Sequence, residues 1–465
     1  MSVAFIVSLD SMKPASYATS LSIVAALGGL LFGYDTAVIS GAIGFLRASF
    51  SLGPGATGFA ASSALIGCIL GAATAGSFSD RYGRKRALLL SAVLFTVSGI
   101  GSAIPRTLVE FNVARVLGGV GIGMASLLSP LYIAEIAPPG IRGRLVSYNQ
   151  FAIVIGILTV YFVNYFIAGL GDDSWNTTTG WRWMFGSEAF PAFLFFLALL
   201  GIPESPRWLV KRGQDERAFQ TLSRLSSPND AREEIAAIKA TLAEKAESLA
   251  DLFAPGIRFA LAIGIALAIL QQITGINVFM YYAPEIFKQL GSGTDTALLQ
   301  TVIVGAFNVT FTVVAIWTVD RLGRKPLMIV GGSGMAVSLV GLGLAAYTAT
   351  TEVWVLIFVL GFIACFALSL GPVVWVILSE IYPTRLRGRA MAIATLLLWA
   401  ANFVVSQTFP VINEDPRLVA TFHHAFPFWL YAFFCVVTVI VTWLFVPETK
   451  GKTLEEIEQG WRKRK

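Results

Sequence analysis

One stretch, residues 271–282, carries amide and phenol side chains inside a long apolar run. Gln271 and Gln272 are adjacent, and Asn277 follows two positions after Gly275. At helical spacing both glutamines fall near the face that carries Asn277. Hydrocarbon offers amides no hydrogen-bond partner, so we expect these groups to face protein or a water-filled cavity. Uncharged groups that both donate and accept hydrogen bonds match a neutral polyhydroxy ligand.

The same amides have a structural alternative, because polar side chains in membrane bundles often hold helices together. Gly275 bears on the choice, since a glycine lets a helix bend or unwind beside the amides. A cluster of amides at such a point favours a binding site, while a single amide would favour helix packing.

Further polar and aromatic residues lie in other apolar stretches. Gln150 and Asn308 are isolated amides, Pro372 follows a glycine, and Trp375 and Trp399 are indoles. A Gly-Pro pair breaks a helix where a cavity or a neighbour can satisfy the freed carbonyls. A tryptophan there can stack on the apolar face of a sugar and donate its N–H. Core packing is the alternative role of either tryptophan.

Asp35 lies deep in the first apolar stretch, where a lone carboxylate is costly. Arg115, in the fourth apolar stretch, is the other ionisable group near the middle of this half of the chain. A buried pair of this kind can be purely structural. A carboxylate whose protonation depends on water access and on its distance from an arginine also suits a proton-coupled machine.

The composition is that of an integral membrane protein. Of 465 residues, 55% are hydrophobic and 13% are charged, with mean hydropathy +0.71, whereas soluble proteins are about 25% charged. A spanning helix needs about 20 apolar residues. Twelve such spans are predicted near 18–41, 57–78, 87–104, 108–133, 147–170, 184–202, 257–288, 297–319, 326–348, 353–378, 390–411 and 426–446.

The distribution of charge predicts the orientation. Of 34 Lys and Arg residues, 28 lie in the two tails and in alternate loops, which places both termini in the cytoplasm of a multi-pass cell-membrane protein. The same asymmetry accounts for the net charge of +6 without a nucleic-acid partner. The three cysteines lie in predicted spans without metal-type spacing, so no metal or other cofactor is expected. No nucleophile–base–acid set indicates an enzyme.

The two halves of the chain repeat one another. The motif DRYGRK at 80–85 recurs as DRLGRK at 320–325, residues 135–144 recur at 380–389, and PES at 203–205 recurs as PET at 447–449. Parallel repeats around a central site are typical of transporters. We therefore predict an all-α membrane protein with two six-helix bundles (1–202 and 257–447), a cytoplasmic helical linker (203–256) and a cytoplasmic tail (448–465).

Taken together, these motifs and the sequence QQITGIN at 271–277 resemble the sugar porter family of the major facilitator superfamily over essentially the whole chain. The resemblance implies alternating access of a central site from the two sides of the membrane. It implies sugar ligands at Gln150, Gln271, Gln272, Asn277, Asn308, Trp375 and Trp399, and an outer gate at Tyr281 and Tyr282. It also implies a cytoplasmic charge network that latches the outward-facing state, where the residues alone suggest solvated loops: Asp80, Arg81, Arg84, Glu135, Arg142, Glu204, Arg207, Asp320, Arg324, Glu380 and Arg387.

The resemblance also bears on mechanism and substrate. Proton-coupled members carry an aspartate where this chain has Asp35, paired with the arginine that matches Arg115, so proton symport is expected. Xylose carriers of the family place amides where this chain has Ile157 and Leu398, so a hexose, D-glucose first, is expected over xylose. The expected partners are a monosaccharide, a proton and the lipid bilayer, and the protein is expected to be a monomer. The alternatives are a proton-independent facilitative uniporter and, less favoured because of the short tail, a transporter-like sugar sensor.

Overall fold

The computed structural model describes residues 14–243, 249–254, 257–349, 352–382, 386–450 and 456, and no strand occurs among them. The helices of the first half are α1 (Pro14–Phe50), α2 (Pro54–Tyr82), α3 (Arg84–Ala103), α4 (Leu108–Ile136), α5 (Arg142–Ala168), α6 (Asp173–Trp175), α7 (Trp181–Gly186) and α8 (Ala189–Leu200). The linker forms α9 (Pro206–Lys211), α10 (Asp215–Leu225) and α11 (Pro228–Ala243). The second half forms α12 (Ile257–Ile273), α13 (Ile276–Gln289), α14 (Thr294–Leu322), α15 (Arg324–Tyr347), α16 (Glu352–Leu368), α17 (Leu370–Ile381), α18 (Arg387–Asn413), α19 (Pro416–Phe422) and α20 (Phe426–Phe445).

The twelve predicted membrane spans are confirmed within the described residues. Hydrocarbon satisfies no backbone N–H or C=O group, so each span closes its hydrogen bonds within a helix. Three spans are composite. The sixth runs through α6, a π-helical turn (Asn176–Gly180), α7 and α8, the seventh combines α12 and α13, and the tenth combines α16 and α17.

The break in the seventh span lies where the sequence places a glycine among amides. Gly275 separates α12 from α13 with φ of +87°, in the left-handed region. Only glycine adopts that conformation without steric cost. A Cβ atom at this position would also collide with the ring of Tyr431. The tenth span breaks at Ser369, two residues before Gly371 of the Gly-Pro pair.

The described chain packs as two compact units. The first contains the residues up to Thr36, Ile66–Thr159, and Arg182 onward through the linker helices. The second contains Ala37–Leu65, Val160–Trp181 and the chain after the linker. Helices α1, α2 and α5 therefore each contribute to both units. The domain limits read from the sequence stay a prediction.

The linker is helical, as predicted, and has a small core of its own. Leu209, Val210 and Ala218 are buried, and Ile235 and Ile238 of α11 pack against them. Helix α9 begins where the Ser205 hydroxyl accepts a hydrogen bond from the N–H of Trp208, the usual arrangement at a helix N-terminus. The linker is thus an ordered element of the first unit.

Candidate functional site

The amides of the seventh span form one hydrogen-bonded chain in the second unit. Asn277 Nδ2 donates to Gln272 Oε1 at 2.5 Å, and Gln272 Nε2 donates to Gln271 Oε1 at 3.2 Å. Gln271 Nε2 then donates to the backbone oxygens of Leu370 and Gly371 at 2.6 and 3.2 Å. The chain therefore runs from the break in the seventh span to the start of α17, just after the break in the tenth. This arrangement is compatible with both roles considered for the amides, contact between helices and binding of a ligand.

The two tyrosines predicted as a gate bind helix α18. Asn402 Nδ2 donates to the hydroxyl oxygen of Tyr281 at 3.3 Å, and the Tyr282 hydroxyl donates to the backbone oxygen of Ser406 at 2.9 Å. Ser406 Oγ donates in turn to Asn402 Oδ1 at 3.0 Å. Both phenol rings are buried. The tyrosine pair is thus tied to one face of α18.

The remaining predicted sugar ligands lie on separate helices. Asn308 is buried on α14, Trp399 is buried on α18 one turn before Asn402, and Trp375 is partly exposed on α17. Gln150 is partly exposed on α5 and belongs to the first unit. The assignment of all seven residues to a sugar site stays a prediction.

Asp35 and Arg115 meet in the first unit, as the sequence predicts. Arg115 Nη1 donates to Asp35 Oδ1, and Arg115 Nη2 donates to the backbone oxygen of Asp35 at 3.0 Å. The two side chains are 0% and 1% exposed. The guanidinium also lies 5.4 Å from the ring centroid of Phe185. The ion pair is therefore fully buried. In such a buried position an unpaired charge would be strongly destabilising.

A third ionisable residue, Glu188, completes this buried cluster. It lies at the start of α8, is 0% exposed, and is close enough to Asp35 and Arg115 to interact electrostatically with both. The Glu188 and Asp35 carboxyl groups lie within hydrogen-bonding reach of each other, and neither oxygen of Glu188, nor Oδ2 of Asp35, accepts a hydrogen bond from an N–H or O–H group of the described residues. The sequence analysis did not include Glu188 in this cluster. The available signal was a carboxylate five residues after Trp183, in a segment whose aromatic residues match those found at membrane interfaces.

The charge network of the first unit centres on Arg84. Its guanidinium binds Glu135 through Nε at 3.0 Å and Nη2 at 3.1 Å, and Asp80 through Nη1 at 2.9 Å. Glu204 accepts hydrogen bonds from the backbone N–H groups of Arg84 and Lys85 at the start of α3. Burial raises the pKa of Glu204, although these donors act against it. A carboxylate at a helix N-terminus also matches the helix dipole.

The second unit repeats this arrangement with Arg324, Glu380 and Glu448. Arg324 Nη2 binds Glu380 Oε1 at 3.0 Å, and Glu448 accepts from the backbone N–H groups of Arg324 and Lys325 at 3.1 and 3.0 Å. Burial acts to raise the pKa of Glu448, but the backbone donors, Lys450 first, outweigh it and lower the pKa. Seven of the eleven predicted network residues therefore make such contacts. Asp80, Arg84, Glu135, Arg324 and Glu380 form ion pairs, and Glu204 caps a helix. Arg387 lies close to Glu380.

The other four predicted network residues differ. Arg81 and Arg207 are exposed, and the Arg81 guanidinium lies 5.4 Å from the ring centroid of Tyr82. Arg142 donates to the backbone oxygen of Ala137 at 3.3 Å. The side chain of Asp320 lies outside the described residues. The latching role of the whole network stays a prediction.

Comparisons with known proteins agree on one family. Residues 21–461 match the family model described as sugar (and other) transporter. The chain is 49% identical to a D-xylose-proton symporter of Escherichia coli (strain K12), covering 97% of each chain. It is 44% identical to an arabinose-proton symporter of Bacillus subtilis (strain 168), covering 95% of each. A solved structure of a major facilitator superfamily proton:xylose symporter, bound to 6-bromo-6-deoxy-D-glucose, superposes with a TM-score of 0.81 at 49% identity over 96% of this chain and 99% of that one.

These relatives do not support the preference for a hexose that Ile157 and Leu398 suggested. Both symporters are named for pentoses, so the prediction of D-glucose over xylose is corrected. The prediction failed because Ile157 and Leu398 carry little information about the sugar. Ile157 and Leu398 are 9% and 4% exposed, so packing constrains their identity, whereas discrimination between sugars depends on the geometry of many hydrogen bonds.

The helical fold is that of a transporter and not of an enzyme. Twelve membrane spans, two broken helices bearing amides and indoles, and a match over nearly the full length all lead to the same assignment. The chain belongs to the sugar transporter family of the major facilitator superfamily.

Proposed function

We propose that the protein imports a pentose, D-xylose being the first sugar to test, by proton symport. The observation that carries the proton coupling is the buried cluster of Asp35, Arg115 and Glu188. Two carboxylates and one guanidinium share a site closed to water. With both carboxylates ionised the site would hold a net negative charge, which is costly in a membrane interior. One proton makes the cluster neutral.

Two contacts support Glu188 as the group that carries this proton. Arg115 donates to Asp35, whereas Glu188 accepts no hydrogen bond from an N–H or O–H group of the described residues. A buried carboxyl group without a donor is most stable when it is protonated. Opening of the first unit to water would let Glu188 lose its proton, or let Asp35 take one as Arg115 moves away.

The amide chain supports sugar binding by the second unit. The three amide nitrogens donate to neighbouring amides or to backbone oxygens, and the side-chain oxygens of Gln271 and Gln272 accept from neighbouring amides. A sugar hydroxyl both donates and accepts, so it can replace a link of the chain without leaving a polar group unpaired. Trp375 is partly exposed and lies on α17, the helix that Gln271 contacts. It is therefore the indole best suited to stack on the sugar.

Transport follows from exposure of these groups to each side of the membrane in turn. The bundles 1–202 and 257–447 are proposed as the moving bodies. The protein is proposed to lie in a bacterial inner membrane, with the linker and both termini on the cytoplasmic side, and to act as a monomer. The networks around Arg84 and Arg324 are proposed to latch the cytoplasmic side while the outer side is open.

The test is uptake of labelled D-xylose, L-arabinose and D-glucose into proteoliposomes, each with and without an imposed inward proton gradient. Accumulation of a pentose above equilibrium, abolished when a protonophore dissipates the gradient, is the expected result. Equilibration of every sugar regardless of the gradient would favour the facilitative uniporter and would reduce the Asp35–Arg115 pair to a structural role. Preferred accumulation of D-glucose would refute the choice of a pentose.

A further inference from the structure

A bidentate ion pair ties the end of α1 to the end of α18. Arg47, in the last turn of α1, donates from Nη1 and Nη2 to the two carboxylate oxygens of Glu414 at 2.5 and 2.8 Å. Glu414 is the residue that follows α18. Such two-point contacts fix the geometry of both groups and are stronger than a single hydrogen bond between neutral groups. Nothing in the sequence pattern predicts this pair, because its members are 367 residues apart.

The pair lies at one end of the second unit. Helix α18 begins at Arg387, which is close to Glu380 and hence to the ion pair of Glu380 with Arg324. Its 27 residues extend about 40 Å. Glu414 therefore lies at the opposite end of the second unit from Arg324, on the side that the positive-inside rule places outside the cell.

Other contacts at this end join the same segments of the chain. Asn413 Nδ2 donates to Gln289 Oε1 at 2.8 Å, linking α18 to α13. Ser62 of α2 donates to Gln407 Oε1 of α18 at 3.0 Å. Helix α1 approaches α13 at Gly44, where a Cβ atom would collide with the carboxylate of Glu285. The ends of α1 and α2 thus pack directly on α13 and α18.

Both residues of the ion pair line a cleft that reaches one of the tyrosines predicted as a gate. Its lining includes Ile43, Arg47, Tyr282, Glu285, Phe409 and Glu414. Tyr282 also binds α18 through the backbone oxygen of Ser406. The contact between Arg47 and Glu414 therefore borders a cleft that reaches Tyr282.

We propose that Arg47 and Glu414 form an ionic latch that holds this end of the transporter closed, and that sugar gains access from the outer side only when the latch opens. The proposal rests on the proposed transport function. The side chains are 37% and 23% exposed, so water and salt screen the pair and keep its strength moderate. A latch of moderate strength suits a gate that must open in every cycle.

The sharpest variant is Arg47→Gln. Glu285 also lies close enough to Arg47 to attract it, so Glu414→Gln would leave the arginine a substitute partner. The matched control is Arg417→Gln, which removes an exposed arginine from α19, three residues beyond Glu414. The charge swap Arg47→Glu with Glu414→Arg should restore the pair.

The experiment measures labelling of a cysteine placed in the cleft by Ile43→Cys. In this experiment the parent and every variant carry Ile43→Cys. A membrane-impermeant maleimide is added to right-side-out vesicles, and labelling of the native cysteines is subtracted by use of the protein that lacks Ile43→Cys. Removal of a half-exposed ion pair should raise the labelling rate about threefold to fivefold. The charge swap should return the rate to that of the parent, and Arg417→Gln should leave it unchanged. High salt should raise labelling in the parent but not in Arg47→Gln.

Equal labelling of parent and Arg47→Gln would overturn the latch, as would an equal rise in Arg417→Gln. The salt response of the parent alone still tests the proposal if the variant does not fold. Labelling reports access whether or not sugar is transported, so failure of the latch and failure of the proposed function give different results.

Discussion

Replacing Asp35 by asparagine should separate proton coupling from sugar movement. In the parent, Arg115 pairs with Asp35 while Glu188 lies beside them without a hydrogen-bond donor among the described residues. In Asp35→Asn, an ionised Glu188 balances Arg115, and the cluster is neutral without a proton. Binding a proton would then leave a net positive charge in a site closed to water, so proton uptake should be lost.

The magnitudes follow from this balance of charge. With one proton per sugar, a gradient of one pH unit supports about tenfold accumulation; Asp35→Asn should reduce the ratio to one. Because Glu188 supplies the countercharge, the single variant should remain folded. The double variant Asp35→Asn with Glu188→Gln leaves Arg115 without a carboxylate at 1% exposure. Loss of one partner of a buried pair costs about 3–5 kcal/mol, so the double variant should unfold at a clearly lower temperature.

The assays are gradient-driven uptake, sugar counterflow and thermal unfolding of the purified protein. Asp35→Asn should fail in the first and retain the second, since exchange of sugar for sugar needs no net proton movement. Glu188→Gln, which resembles the protonated acid, should unfold close to the parent temperature. The reasoning is refuted if Asp35→Asn still accumulates sugar, or if the double variant is as stable as Asp35→Asn.

Three further predictions concern single residues. Gln271→Ala should weaken sugar affinity by more than about 1 kcal/mol, because it removes one hydrogen-bonding amide. Calorimetric affinity that is unchanged while the unfolding temperature falls would make this amide a helix contact only. Gly275→Ala should destabilise the protein by about 2 kcal/mol, because it puts a side chain at positive φ against an aromatic ring. The control is Gly293→Ala, since Gly293 has φ of −67° and open space around it. Equal unfolding temperatures of the two variants would contradict the argument. Glu448→Gln should cost about 1 kcal/mol at pH 7. Since the pKa of Glu448 is lowered, its stabilising effect is present above the ordinary glutamate pKa and disappears as the pH falls through the lowered value. A difference in stability between Glu448→Gln and the parent that persists in acid would be the contrary result.

The fold could be predicted from the sequence because hydrocarbon imposes one local rule. Each apolar run of about 20 residues must close its backbone hydrogen bonds within itself. The run of amides around Gly275 indicated a helix break for the same local reason, and the structure places the break there. At the repeated motifs DRYGRK and DRLGRK the residues alone suggested solvated loops, and only the family resemblance implied a charge network. Arg84 and Arg324 make matching ion pairs in the two halves.

Contacts between residues far apart in sequence needed the tertiary structure. Asp35 and Arg115 could be paired in advance because few ionisable residues lie inside the spans. Glu188 could not, because it follows interfacial aromatics and only the packing of α8 buries it beside Asp35. The preference for a hexose failed because two buried apolar residues carry little information about a hydrogen-bonded ligand.

The sequence by itself determined the membrane setting, the twelve spans, the two breaks and the family, since hydropathy, glycine conformation and local motifs act over a few neighbouring residues. Only the tertiary structure decided which polar groups meet: the amide chain that ends on the backbone of Leu370, the carboxyl group beside the buried ion pair, and the pair of Arg47 with Glu414. The physical reason is that such contacts depend on how helices cross and pack, which is set by the whole set of side chains and by no single segment.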